Sequence, residues 1–186
     1  IGDIDANLAK FTIGDRQIPI RVQLNEDARG ELATLETLPV PLPGGNTLWV
    51  FADTAHVTQK PFFFRTSSAA VTAPGSTRMT FLTGADGTPI EFLPRSELEH
   101  EQQTQDAYVP IWPTGAVALP DGRIIVSYTK WYVTRLPGNY AFTMLSSGLF
   151  EYRYPGGPDD ATPAKRIADG LWSADEGSVG SPVYLD

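Results

Sequence analysis

The chain has 186 residues, 41% hydrophobic and 19% charged, a balance that supports a packed core and excludes a disordered polymer. Its formal charge of −8 is distributed along the chain, with four basic against seven acidic side chains in residues 1–46, so no segment is basic enough to hold nucleic acid or an anionic membrane surface. There is no Cys, which excludes disulfides, thiol catalysis and Cys-ligated zinc, and no apolar run reaches the about 20 residues of a membrane-spanning helix.

With 17 Gly and 16 Pro, the composition favours turns and short strands over long helices. In chain order, Ile18, Ile20, Val22 and Leu24 alternate with polar or Pro positions and predict a half-buried strand over 17–24. Pro19 cannot donate to a ladder and marks an edge or a strand start. Asn25 is placed to cap a short helix over about 26–36, with Ala28, Leu32 and Leu35 on one face and Glu26 and Asp27 in its first turn. Residues 38–46 are rich in Pro and Gly and read as a linker or turn without a regular ladder.

From residue 47 the pattern changes. Short apolar runs follow at 48–52, 62–65, 78–82, 90–93, 116–119, 124–128 and 149–154, each of strand type. Asp86-Gly87 and Asp121-Gly122 lie between such runs and predict hairpin turns. Residues 95–107 are polar and predict an exposed loop or one short helix. Many short strands with turn residues between them indicate an all-β sandwich, barrel or propeller.

Two resemblances sharpen this reading. The strings Ile1–Phe11, Gly14–Val22 and Ala28-Arg29 resemble a periplasmic segment of bacterial resistance-nodulation-division efflux pumps. That resemblance implies a strand and helix used in subunit docking, with no catalytic residue. The strings Leu48-Trp-Val-Phe-Ala-Asp-Thr54, Trp112–Val126, Gly148-Leu-Phe-Glu-Tyr152 and Gly177–Val183 resemble the bacterial domain-of-unknown-function 4185 family. Its members look like five-bladed β-propellers, and some are glycoside hydrolases acting on D-arabinan of cell walls. Ala52 stands where that family usually has Gly. The two resemblances meet near Val40–Gly45, so residues 1–46 and 47–186 are expected to be pieces of two different proteins, joined naturally or by design. Both parents point to the bacterial periplasm or cell envelope. Ile1 in place of Met and the apolar run Ser181–Asp186 lead to the expectation that both ends are cut from longer proteins.

Glycoside hydrolysis requires two carboxyl groups about the scissile bond, roughly 5–10 Å apart. Asp53 directly follows an apolar strand and reads as one of them, or as an Asp closing a turn through its own side chain. Asp175 and Glu176 read as the second carboxylate or as a solvated acidic turn. His56 reads as a substrate-orienting residue or a partly exposed structural one. Trp112 and Trp131, flanked by polar or Pro residues, read as sugar-stacking rings or as core. Gly-x-Ser-x-Gly and His-x-x-x-His are both missing, so no nucleophile elbow, metal or cofactor is expected.

The expected fold is mainly β: a partial β-propeller-like array of short antiparallel strands, with a small N-terminal strand-helix segment. About 140 residues fall short of a five-bladed ring, so open strand edges and self-association through them are expected. The expected function is a fragment related to arabinan-acting glycoside hydrolases, with polysaccharide as partner and no insertion into membranes. The alternative is a non-enzymatic scaffold carrying the docking-type segment.

Overall fold

Alternating side chains and closely spaced turns make strands throughout the described chain. The computed structural model describes residues 10–13, 16–19, 40–56, 63–136, 139–159 and 161–176. The chain divides into two units, Ile1–Glu36 and Thr37–Asp186.

In the first unit, β1 (Lys10–Ile13) pairs antiparallel with β2 (Arg16–Pro19). The strand expected over 17–24 begins within β2. Its remainder and the helix expected over 26–36 lie outside the described residues.

The second unit opens with β3 (Val40–Pro41), β4 (Thr47–Phe51), β5 (Thr54–His56), β6 (Phe63–Arg65), β7 (Ser68–Thr72) and β8 (Met79–Phe81). One helical turn, α1 (Glu97–Glu101), follows. Then come β9 (Ala107–Tyr108), β10 (Ile111–Ala118), β11 (Arg123–Leu136), β12 (Asn139–Arg153) and β13 (Lys165–Ser173). The first sheet has the order β3-β4-β7-β8, with β5 and β6 forming a separate pair between β4 and β7. The second has the order β10-β11-β12-β13, with β9 added to the far half of β11. All these pairings are antiparallel. The protein is therefore mainly β, and each sheet has the four-strand path from which propeller blades are built.

The two sheets share a core. Leu48, Val71 and Leu82 from the first meet Ile124, Val126, Tyr128 and Phe150 from the second in one buried apolar cluster. Phe92 and Tyr152 pack edge to face within it, their ring centroids 4.9 Å apart.

Both Asp-Gly pairs form turns, but only the second closes a hairpin of two strands; the first is flanked by the isolated Thr83–Pro89 bridge. Gly87 and Gly122 take φ of 73° and 81°, which a side chain would strain. The second of these turns joins β10 to β11 through a bond from the Leu119 amide to the Arg123 carbonyl.

Two local expectations fail. Residues 40–41, read as linker or turn with no ladder, form β3: Val40 faces Leu48, and Pro41 sits at the sheet edge, where its missing N–H costs no ladder bond. Val40 and Leu42 are also buried in the core of the second unit. Ile90–Leu93, read as a strand, joins no sheet. Its amides bond instead to loop and side-chain acceptors, Phe92 to the Ser67 carbonyl and Leu93 to Ser67 Oγ. The run is apolar because Ile90, Phe92 and Leu93 are buried, not because it belongs to a ladder.

Helix α1 is fixed by charge. Ser96 and Glu99 form a capping box, with the Ser96 amide donating to Glu99 Oε2. Glu99 is buried, and Lys130 from β11 and Arg166 from β13 each reach it at 2.8 Å. Both cations also pair with Asp169, which accepts a 2.7 Å bond from the hydroxyl of Tyr128. Burial raises the Glu99 carboxyl, but bonds from Arg166, Lys130 and the Ser96 amide outweigh it and bring it down to about 2.

The Tyr128 ring requires a glycine across the ladder. Gly148 is its register partner, and a Cβ there would lie 2.6 Å from the Tyr128 hydroxyl oxygen and against the Ala168 carbonyl. Gly148→Ala is expected to destabilise the fold by about 1–3 kcal/mol, read as a lowered urea midpoint. A wild-type midpoint would contradict this packing.

The Glu99 cluster predicts acid lability. A carboxyl lowered by folding stabilises the fold fully above its ordinary value of 4.5, and that contribution drains away as pH falls toward about 2. Urea midpoints measured over that window should fall more steeply for the wild type than for Glu99→Gln.

Candidate functional site: an aromatic cleft around Asp53

Strand β4 ends at Phe51, and the chain bends through Ala52 and Asp53 into β5. Thr54, not Asp53, closes this bend: its hydroxyl donates to the Ala52 carbonyl at 3.0 Å and shares a 2.7 Å bond with Ser68. The Asp53 carboxylate is thereby left to distant partners. Trp112 Nε1 donates to Oδ1 at 2.7 Å, and the Tyr108 hydroxyl donates to Oδ2 at 3.1 Å.

The second sheet delivers both donors. Tyr108 lies on β9, paired with the far half of β11, and Trp112 lies on β10, paired with its near half. Pro110 stands between them, and its carbonyl accepts from the Trp131 amide.

Beyond Lys130, strands β11 and β12 continue as a ribbon. Trp131, Val133 and Arg135 face Met144, Phe142 and Tyr140 in the register, so these six side chains share one face of the pleat. That face forms a wall of a cleft of about 790 Å³, lined by Asp53, Phe64, Gln103, Tyr108, Trp112, Arg135, Tyr140 and Phe142. This is the size of a small-ligand site. Tyr140 and Phe142 are more than half exposed, at 56% and 54%, so their rings are free to meet a ligand. Trp112 is the centre of the ring contacts, 6.1 Å from Phe142 and 5.9 Å from Trp131.

Asp53 is exposed as a residue, yet its carboxylate is turned into this aromatic surround. Burial pushes its carboxyl above the ordinary 3.8, against the opposing bonds from Trp112 and Tyr108 and the charges of Arg95 and Arg135. The Tyr108 hydroxyl is also pushed up, by burial and then by the Asp53 charge, so it stays protonated and serves as a donor.

The other sequence candidates fall in different places. Trp131 backs Trp112 and donates from Nε1 to Thr129 Oγ1 at 2.9 Å. His56 is the last residue of β5, and its side chain lies outside the described residues. Asp175 and Glu176 sit in an exposed 3-10 turn after β13 and are not among the described residues lining the Asp53 cleft. Glu176 Oε2 accepts from the Ser173 amide at 2.8 Å and hydroxyl at 3.1 Å, and these bonds hold its carboxyl below the ordinary range. Asp53 is the one carboxylate among the described lining residues. No group of three His, Asp or Glu side chains converges to hold a metal among the described residues. Nor is any described helix long and apolar enough to cross a membrane.

Sequence reasoning missed Tyr108, Arg135, Tyr140 and Phe142. Tyr140 and Phe142 did leave a signal: aromatics two apart on a strand, with Ala141 and Thr143 between and beyond them, mark one aromatic face. Tyr108 and Arg135 left none, since their value lies in contacts made across the fold.

No family model matches the chain. No curated protein matches it. Among solved structures it is similar to the crystal structure of a "putative hydrolase" from Bacteroides ovatus, at 18% identity and a TM-score of 0.43. The similarity covers 72% of this chain and 38% of that one, so the chain spans well under half the length of that protein. A likeness this distant carries no argument about activity.

The Asp53 geometry predicts a signature of function over stability. A carboxyl raised by folding binds its proton more tightly in the native state, so stability falls as pH climbs from 3.8 through the raised value. Asp53→Asn is therefore expected to melt at or above the wild-type temperature at pH 7, with the difference closing near pH 3. A large loss of stability at pH 7 would mark Asp53 as a structural anchor.

Proposed function

We propose that the Asp53 cleft binds sugar rings and that the chain is related to glycoside hydrolases acting on arabinan-type bacterial polysaccharide, with Asp53 as the acid. One observation carries the reading. A carboxyl raised by burial and gripped by Trp112 and Tyr108 lies in a cleft walled by exposed aromatic faces. Aromatic faces stack on the apolar faces of sugars, and a raised carboxyl is what a leaving-group oxygen needs as proton donor. The resemblance of Leu48–Thr54 and Trp112–Val126 to a family of which some members act on arabinan supports the same assignment, since the two strings carry Asp53 and Trp112.

Hydrolysis also needs a second carboxyl. Asp175 and Glu176 remain the sequence candidates for it, and His56, beyond Asp53, for substrate orientation. A second reading, a non-enzymatic binding domain, is favoured by the single carboxylate among the described lining residues.

Calorimetric titration with arabino-oligosaccharides is expected to show binding that Trp112→Ala weakens about tenfold or more. No binding by the wild type contradicts the sugar reading. Sugar release from arabinogalactan is expected to depend on Asp53. Equal release by wild type and Asp53→Asn rejects its role as acid, and leaves binding as the function.

A further inference from the structure

We infer that the sugar bound in this cleft carries a carboxylate, as in a uronic-acid unit, and that Arg135 is the group that recognises it. The inference rests on the sugar-binding part of that reading alone and replaces neutral arabinan with an acidic sugar as the ligand class.

Arg135 is the one cation among the described residues that line the cleft. Other described cations nearby are spoken for. Arg95 pairs with Glu91 at 2.8 Å and donates to Gln103, while Lys130 and Arg166 are shared between Glu99 and Asp169. Arg135 has no carboxylate partner among the described residues. Its guanidinium lies 5.0 Å above the Tyr108 ring, and its bond to the Gln105 carbonyl is long at 3.4 Å.

A guanidinium over a ring is held there with donors to spare, and its fork can take a carboxylate through two parallel bonds. The ring beneath it is Tyr108, whose hydroxyl holds Asp53, so the anion site and the acid share one scaffold. Charge decides between anions. One guanidinium balances a monoanionic carboxylate, whereas a phosphate dianion would leave excess negative charge beside Asp53. Phe142 and Trp112 supply the rings for stacking.

The test compares two trisaccharides differing in charge, α-1,4-linked trigalacturonate and α-1,4-linked galactotriose, by calorimetry at pH 7. The wild type is expected to prefer the acidic sugar about tenfold or more. Arg135→Gln, a change at an exposed residue, is expected to abolish that preference by lowering the affinity for the acidic sugar far more than that for galactotriose. Arg135→Lys keeps the charge but not the fork, and is expected to retain only part of the preference. Equal binding of both sugars by the wild type overturns the inference and leaves the sugar reading standing, as does a preference that survives in Arg135→Gln. Binding of neither sugar overturns the inference, and overturns the sugar reading as well when arabino-oligosaccharides also fail to bind.

Discussion

The antiparallel ladder between β11 and β12 does two jobs with one set of backbone bonds. It runs in register from Arg123↔Arg153 to Leu136↔Asn139, with a single shift between Lys130 and Trp131. Below the shift, Val126, Tyr128 and Phe150 are buried and form the floor of the core. Above it, the same two strands leave that core and present Arg135, Tyr140 and Phe142 to the cleft. The ladder therefore couples a packed base to an exposed wall. Its neighbours respect the division: β10 follows β11 up to Lys130, and β9 takes over at Val133 and Thr134. Because β9 and β10 carry Tyr108 and Trp112, the register of one hairpin places both donors to Asp53.

The base is secured by complementary charge. Glu99, Asp169, Lys130 and Arg166 form a closed set of two anions and two cations around the Tyr128 hydroxyl. A buried carboxylate with one missing partner would be strongly destabilising, and here each has two cationic partners. The Arg166 guanidinium also rests 5.2 Å over Phe150 and 5.6 Å over Tyr128, so the cluster is packed as well as paired. The Asp53 cleft is built on the opposite principle. Its carboxylate receives neutral donors, no ion pair among the described residues, and an aromatic surround that disfavours its charge. The first carboxylate set is held below its ordinary range by its cations, and Asp53 is pushed above its own by burial, which separates scaffold from candidate chemistry.

Much of the fold is legible in local sequence. Leu48–Ala52, Arg78–Leu82 and Ile124–Tyr128 mark real strands, both Asp-Gly pairs mark real turns, and the polar stretch 95–107 contains a single short helix. The failures have physical reasons. Ile90–Leu93 is apolar enough for a strand, but its burial comes from bridging Ser67 and the core, which no periodicity records. The reach of β11 and β12 is not legible because their upper halves carry no continuous apolar run, and residues 139–143 are exposed throughout. At the site, Asp53 and Trp112 were legible through a strand-end position and flanking residues. Their pairing was not: Tyr108 and Trp112 reach Asp53 across 55 and 59 residues of chain. Arg135 became a candidate only when its stacking on Tyr108 and its place in the cleft were known.

The central claim is that ligand enters at the Asp53–Trp112 contact, and the four indoles of the chain report on it directly. Trp112 Nε1 bonds to Asp53 and Trp131 touches its ring, whereas Trp49 bonds to Thr72 in the first sheet, and Trp172 lies on β13 opposite Ser147. In a two-dimensional nitrogen-proton spectrum, titration with an oligosaccharide ligand should move the Trp112 indole signal most and Trp131 next, leaving Trp49 and Trp172 in place. Movement of Trp49 or Trp172 with Trp112 unchanged would put the ligand elsewhere and contradict the account.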